Sequence, residues 1–264
     1  MSRLLDLLEV RPADGDVWIG PGSGPAGKRA FGGQLAGQAL AAAGRTVTGM
    51  APTNMHVQFL RGGDAGDPVE YAVERVFDGR TSACRRVMAR QSGRLLTTAT
   101  VTFAAALAGP EHGRVAAPAP PGDLPRTGPA GPAPSMPLDE IDIRIADTGC
   151  GEAFTRRFWW RTTVPLPDDP FLHTCAAVYV TDVYMIDPAL QVHGHAMADR
   201  SHRSGTTASS VWFHQPVRSD RWNLLESSSP AAARGRGVVS GRLVDPDGAV
   251  VATLVQEGLI AARE

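Results

Sequence analysis

Two stretches of the chain alternate apolar and polar residues in the manner of β-strands. The first, residues 69–104, reads VEYAVERVF, ACRRVMARQ and RLLTTATVTFA, with the turn dipeptides Asp78-Gly79 and Ser92-Gly93 between the runs. Gly-containing dipeptides between alternating runs are strong hairpin signals. Because the strand-like segment MHVQFLR precedes these runs, the pattern predicts a four-stranded antiparallel meander.

A second stretch repeats this pattern later in the chain. It reads SSVWFHQ, WNLLESSS, RGVVSGRLV and AVVATLVQEGLIA, with an Asp247-Gly248 turn before the last run. Phe213 and Val255 follow Phe59 and Val101 at the same offset of 154 residues. The equal spacing indicates two degenerate tandem copies, each ending in a four-stranded meander.

Each copy has one helical candidate before its meander. Residues 32–47 are rich in alanine, lack proline and carry small residues on most faces, as is typical of a buried helix. In the second copy, residues 168–170 (DDP) supply an N-cap and a proline at the first helical position. Residues 171–186 are then mostly apolar, and Asp187-Pro188 is expected to end the helix. A buried helix followed by a long antiparallel sheet, twice over, predicts an α+β double-hotdog fold, in which each sheet wraps around a central helix.

Residues 108–137 differ from the rest of the chain in being dense in proline, glycine and alanine. Such a composition cannot hold a helix or a central strand. We therefore expect a linker between an N-terminal hotdog, residues 1–107, and a C-terminal hotdog, residues 138–264.

Composition narrows the class of protein further. The 264 residues are 43% hydrophobic, and the net charge of −1 gives no basic excess for a nucleic-acid partner. Asp6 and Glu9 interrupt the apolar N-terminal segment, so no signal peptide is expected, and no apolar run is long enough to span a membrane. Three cysteines without CxxC spacing indicate neither a disulfide framework nor a cysteine-based zinc site, which favours a reduced cytoplasm.

The chain resembles the acyl-CoA thioesterase II family, the double-hotdog thioesterases. The resemblance covers almost the whole chain outside the linker, in FGGQLAGQAL (31–40), HVQFLRGGD (56–64), DGRTSACRRV (78–87), WFHQP (212–216), SSPAAARG (228–235) and DGAVVATLVQEG (247–258). It implies an enzyme that hydrolyses an acyl-CoA and needs neither cofactor nor metal.

The resemblance also implies a catalytic trio of Asp182, Thr206 and Gln256. Their intervals of 24 and 50 residues are those that the family pattern requires. Asp182, placed on the second buried helix, would act as general base, while Thr206 and Gln256 would hold the water. The chain departs from the pattern at Ala208-Ser209, where the family often carries Asp-His, and at Gly62, which replaces a proline.

The residues by themselves leave alternatives open. Asp182 is flanked by apolar residues, and a buried carboxylate costs several kcal/mol unless it is hydrogen-bonded or shifted in pKa. Local donors could satisfy it, or the helix could turn it to solvent. Thr206 is an ordinary strand residue, and Gln256 could lie on the solvent side of its strand.

Further candidates border the expected site. Gly32 and Gly33 could bring backbone amides of a helix N-terminus close to the thioester oxygen, or could simply form a tight turn. His56 could border the site or be structural. His193 and His195 lack a third ligand at metal-like spacing, so no metal site is expected.

The first copy provides no carboxylate where the second has Asp182. Aligning the two helices places Gln38 opposite Asp182, and the 154-residue offset places Thr102 opposite Gln256. We therefore expect one working site per chain.

Two other functions have to be weighed against hydrolysis, and the same features also predict self-association. The Ala208-Ser209 departure keeps open a non-catalytic acyl-CoA-binding double hotdog. A hydratase is disfavoured because Asp187-Pro188 and His193 lack the tighter Asp-x-Asn-Pro-x-His spacing. Free sheet edges and apolar faces predict a homodimer or a dimer of dimers.

Overall fold

The computed structural model of the protein describes residues 2–127 and 138–263. In the first half of the chain, two helices accompany six strands: α1 Arg3–Leu8, β1 Arg11–Pro12, β2 Val17–Gly20, α2 Gly32–Gly44, β3 Ala51–Phe59, β4 Val69–Asp78, β5 Ser82–Gln91 and β6 Arg94–Ala104. The second half has the same make-up: β7 Ile141–Ile145, β8 Arg156–Thr162, α3 Pro170–Thr181, α4 Asp187–Gln191, β9 His202–Phe213, β10 Asn223–Ala233, β11 Arg236–Val244 and β12 Val250–Ala262. Among the described residues, no helix is long and apolar enough to cross a membrane.

All twelve strands form one antiparallel sheet whose order reads the same from both ends. The order is β1-β2-β4-β5-β6-β3-β9-β12-β11-β10-β8-β7. The two halves meet where β3 pairs with β9, and there His56 lies opposite Ser210. These residues are 154 positions apart, the offset of the sequence repeat, so a local two-fold axis passes through this pair. The double-hotdog fold is confirmed.

The sequence did not indicate the strands that precede each long helix. The segments β1, β2, β7 and β8 extend the sheet beyond the predicted four-stranded meanders on both sides. Strand β2 has only four residues, and β8 reads RRFWWRT, with no alternation of apolar and polar positions. Their membership in the sheet depends on pairing with β4 and β10, which no local pattern reveals.

The long helices cross antiparallel, and glycines on α2 allow close contact. A Cβ on Gly33 would overlap the carbonyl oxygen of Tyr179, and one on Gly44 would overlap the ring of Phe171. Any larger residue at these positions would push the helices apart. The crossing brings the N-terminus of α2 to the C-terminus of α3, at one end of the helix pair.

Helix α3 is shorter than the sequence suggested. It ends at Thr181, and Asp182 is its C-cap residue, with φ −87° and ψ −5°. The prediction that Asp187-Pro188 ends this helix is wrong, because these residues begin α4. Proline is tolerated in a first helical turn, and Tyr184, at φ +57°, has already taken the chain out of α3. Asp182 therefore lies at a helix end rather than within a helix.

Part of the predicted linker lies along the second half. Arg114 pairs with Ala249, and the amide of Val115 donates to the carbonyl of Gly248 at 2.8 Å. Residues 128–137, the remainder of the predicted linker, lie outside the described residues. The division at residues 107 and 138 remains our proposal.

Candidate active site

The side chains of Asp182, Thr206 and Gln256 meet in one hydrogen-bonded cluster. The Thr206 hydroxyl donates to Asp182 Oδ1 at 2.9 Å, and Gln256 Nε2 donates to the same oxygen at 2.6 Å. Gln256 Nε2 also lies 2.5 Å from Thr206 Oγ1. The structure thus brings together three residues that are up to 74 positions apart.

A β-bulge on β9 places Thr206 on the same face of the sheet as Gln256. Strand β9 pairs with β12, and Gln256 lies opposite Ser209 while Gly258 lies opposite Thr206. Thr207 is therefore an extra residue on β9. Because successive strand residues alternate between faces, Thr206 would point away from Gln256 without this insertion. The bulge is what makes the cluster possible.

The first half of the chain completes the surroundings of Asp182. The backbone amide of Gly33 donates to its carboxylate at the N-terminus of α2. Gly32 lies so close that a Cβ there would be 2.5 Å from Asp182 Oδ2. Both glycines therefore lie against the carboxylate of Asp182.

Burial dominates the electrostatics of the cluster. Desolvation raises the pKa of the Asp182 carboxyl group. Hydrogen bonds from Gln256, Thr206 and the Gly33 amide oppose this rise, as does the positive charge of Arg29. A carboxyl group with a raised pKa, held as an acceptor by fixed donors, suits general-base chemistry.

Two acceptors in the cluster retain capacity for a further donor. Asp182 Oδ1 already accepts from two side chains, whereas Oδ2, which lies close against Gly32, accepts from neither of them. Gln256 Oε1 is buried and has no hydrogen-bond partner among the described residues. An unsatisfied buried acceptor is costly, so a water or a substrate donor is expected beside it.

A small cavity adjoins Asp182 between the two helices and the central strands. Its volume is about 10 Å³, which is room for about one water. Both halves of the chain contribute to its walls, through Ala36, Met55, Val57, Phe59, Val178, Thr181, Asp182, Ser209 and Val211. The site therefore combines a carboxylate with an apolar enclosure.

The structure does not bring His56 to this cluster. Its neighbours Met55 and Val57 face the cavity, whereas His56 is exposed on the opposite face of the sheet. There its Nδ1 lies 2.8 Å from Ser210 Oγ. The side chain belongs to the junction of the two halves.

The predicted match between Gln38 and Asp182 is also wrong. Gln38 lies in the middle of α2, where its amide donates to the carbonyls of Leu7 and Pro21. The residue that caps α2 as Asp182 caps α3 is Arg45. Arg45 therefore occupies the position in the first half that corresponds to Asp182, with a guanidinium group in place of the carboxylate.

Sequence reasoning missed two residues near the cluster. Arg29 is exposed, and its guanidinium lies beside Gly62 and Gly205, next to Thr206. Ser209, noted only as a departure from the family pattern, lines the cavity together with Asp182. Neither position carried a local signal, because both are defined by the meeting of β9 with the first half.

Comparisons with known proteins agree with this architecture. The profile of the acyl-CoA thioesterase N-terminal domain matches residues 20–104, and that of the C-terminal domain matches residues 114–260. Acyl-coenzyme A thioesterase 8 of Homo sapiens is 31% identical over 97% of this chain and 88% of its own length. Acyl-CoA thioesterase 2 of Haemophilus influenzae is 28% identical over 100% of this chain and 99% of its own length.

A solved structure of another protein is similar to this one in its three-dimensional fold. The crystal structure of an acyl-CoA thioesterase II from Mycobacterium marinum is similar with a TM-score of 0.85 and 31% identity, covering 99% of this chain and 98% of that one. With both domain profiles matched and the whole length shared with such relatives, the chain belongs to the acyl-CoA thioesterase II family.

Proposed function

We propose that the protein hydrolyses an acyl-CoA to a free acid and coenzyme A, with Asp182 as the general base. The observation that carries this proposal is the convergence of Thr206 and Gln256 on a single oxygen of the Asp182 carboxylate. Family membership supports the reaction class.

The geometry suggests a division of labour between the two carboxylate oxygens. Thr206 and Gln256 hold Oδ1 and thereby fix the plane of the carboxylate, which makes them positioning residues for the base. Oδ2, which neither of these side chains holds, accepts a proton from the attacking water. Gln256 Oε1 is the second acceptor that can orient this water.

The remaining steps need little further assistance. Attack of the water oxygen on the thioester carbonyl gives a tetrahedral intermediate, and its collapse breaks the carbon–sulfur bond. The leaving thiol has an ordinary pKa of about 8.5, so the thiolate departs readily and can take back the proton held by Asp182.

The direct test is release of free thiol from a panel of acyl-CoAs by the purified protein. Hydrolysis of at least one acyl-CoA supports the proposal. Saturable binding of acyl-CoA without thiol release would instead support a non-catalytic acyl-CoA-binding protein.

The pH dependence of hydrolysis should report the raised pKa of Asp182. The base works only as a carboxylate, so kcat/KM should fall as the pH drops through this pKa, with a midpoint above the ordinary aspartate value of about 3.9. Thr206→Ala removes a hydrogen bond that lowers this pKa, so its midpoint should lie at higher pH than that of the wild type.

A loss of activity caused by acid unfolding can be distinguished from one caused by protonation of Asp182. Because the folded-state pKa of Asp182 is raised, its protonation favours the folded state and its contribution to stability is lost only as the pH rises through that pKa. Circular dichroism at each pH is the control. An acid midpoint at or below the ordinary aspartate value would contradict the assignment of the base.

We also propose that the protein self-associates as a homodimer or a dimer of dimers. The outer face of the central strands exposes 43% of Trp212 and 36% of Val255, and among the described residues no further strand pairs with the edge strands β1 and β7. Such surfaces are usually covered by a second copy. Light scattering at micromolar concentration should give at least twice the chain mass of 27.9 kDa, and a clean monomer would contradict this proposal.

A further inference from the structure

A second pocket, apart from the catalytic cluster, opens at one end of the C-terminal half. It has a volume of about 350 Å³, within the range of pockets that bind small molecules. Three histidines and an arginine line it above an apolar floor, namely His193, His195, His202, Arg236, Leu190 and Ile260. We call it the histidine pocket.

The polar groups of the histidine pocket suit an anion. The rings of His195 and His202 lie 4.8 Å apart, and Ser201 Oγ holds His202 Nδ1 at 2.9 Å, which leaves Nε2 for a ligand. Arg236 is about half exposed. Its Nη1 lies 3.7 Å from Glu257 Oε1, a long distance for an ion pair, so Glu257 compensates the charge of Arg236 weakly. This concentration of nitrogen donors contrasts with the net charge of −1 of the whole chain.

A metal ion is not the ligand that this arrangement favours. Across the parts of the chain that the structure describes, no three histidine, cysteine, aspartate or glutamate side chains are placed to hold a metal. Imidazole and guanidinium groups around an open pocket are instead typical of sites that bind phosphate.

The histidine pocket and the catalytic cluster are carried by the same two strands. Thr206 and His202 are four residues apart on β9, and Gln256 and Ile260 are four residues apart on β12. At about 3.3 Å per residue this separates them by roughly 13 Å.

Acyl-CoA has the matching shape and charge, with a thioester at one end of its pantetheine arm and a phosphorylated nucleotide at the other. We propose that the histidine pocket binds the phosphates of the adenosine 3′,5′-bisphosphate end of coenzyme A. This assignment rests on the proposed thioesterase function, because it is that function which places the thioester at Asp182.

The kinetic test compares two thioesters of the same acyl group, one on coenzyme A and one on N-acetylcysteamine, which has no phosphate. The double variant His193→Gln/His195→Gln, and separately Arg236→Gln, should raise KM for the acyl-CoA at least about tenfold with kcat unchanged. Hydrolysis of the N-acetylcysteamine thioester should not change. His112→Gln, another exposed histidine outside the pocket, is the matched control and should leave both substrates unaffected.

A binding test works even without hydrolysis and so separates this inference from the proposed function. Adenosine 3′,5′-bisphosphate should bind the wild-type protein in calorimetry and bind the double variant at least about tenfold more weakly. Inorganic phosphate should bind much more weakly than the bisphosphate. Equal effects of the variants on both thioesters, no binding of the bisphosphate, or equal affinity for phosphate and bisphosphate would each overturn the assignment.

Discussion

Asp182→Asn is expected to lower kcat for acyl-CoA hydrolysis by about 10²–10⁴-fold, the usual cost of losing a positioned general base. The asparagine keeps the shape of the aspartate, and its oxygen can still accept from Thr206 and Gln256 in place of Oδ1. What it lacks is a second carboxylate oxygen, which is the proposed acceptor of the proton from water. Steady-state thiol release, with circular dichroism to establish folding, measures the effect.

The two donors provide the comparison for this variant. Thr206→Ala and Gln256→Ala should each reduce kcat less than Asp182→Asn, because the carboxylate remains. Their combined effect should be smaller than the product of the two single effects, since both side chains hold the same oxygen. If folded Asp182→Asn hydrolyses acyl-CoA at the wild-type rate, Asp182 is not the base.

The sequence indicated which side chains form this cluster, but not how the fold brings them together. The intervals between Asp182, Thr206 and Gln256 matched a family pattern, but each residue alone had an ordinary alternative. The inward direction of Thr206 depends on the bulge at Thr207, and one inserted residue leaves no mark in a pattern of apolar and polar positions. Only the pairing of β9 with β12 reveals it.

The position of Asp182 depends on tertiary structure in the same way. Apolar residues continue from 171 to 186, and a local pattern cannot tell a helix that ends at Thr181 from one that continues. The left-handed backbone of Tyr184 redirects the chain after Asp182, at a residue type that rarely adopts it. The histidine pocket was missed for a related reason, because His202 joins His193 and His195 only through the fold.

The antiparallel crossing of α2 and α3 explains why a duplicated fold has a single expected site. It places the glycines at the start of α2 against the carboxylate at the end of α3. At the opposite end of the helix pair, the C-cap of α2 is Arg45, and Thr102 replaces the glutamine. The first half therefore contributes glycines and cavity walls, while the second half contributes the carboxylate that we propose as the base.

Gly32 and Gly33 differ in what a side chain would disturb. A Cβ on Gly33 would overlap the backbone carbonyl of Tyr179, so its substitution would separate the helices and destabilise the fold. A Cβ on Gly32 would instead meet Asp182 Oδ2 at 2.5 Å and the ring of Phe59 at 3.3 Å. The carboxylate cannot yield easily, because Thr206, Gln256 and the Gly33 amide hold it.

Gly32→Ala is therefore expected to lower kcat by about 10²-fold, the cost of displacing a reacting group by about 1 Å, while the protein stays folded. Thiol-release kinetics and thermal unfolding should be measured beside Gly109→Ala, whose Cβ would meet no atom within 4 Å and which should match the wild type in both. Wild-type kcat in folded Gly32→Ala would mean that hydrolysis does not depend on the position in which Gly32 allows the Asp182 carboxylate to lie. A large loss of thermal stability would show that Gly32, like Gly33, serves helix packing rather than the site.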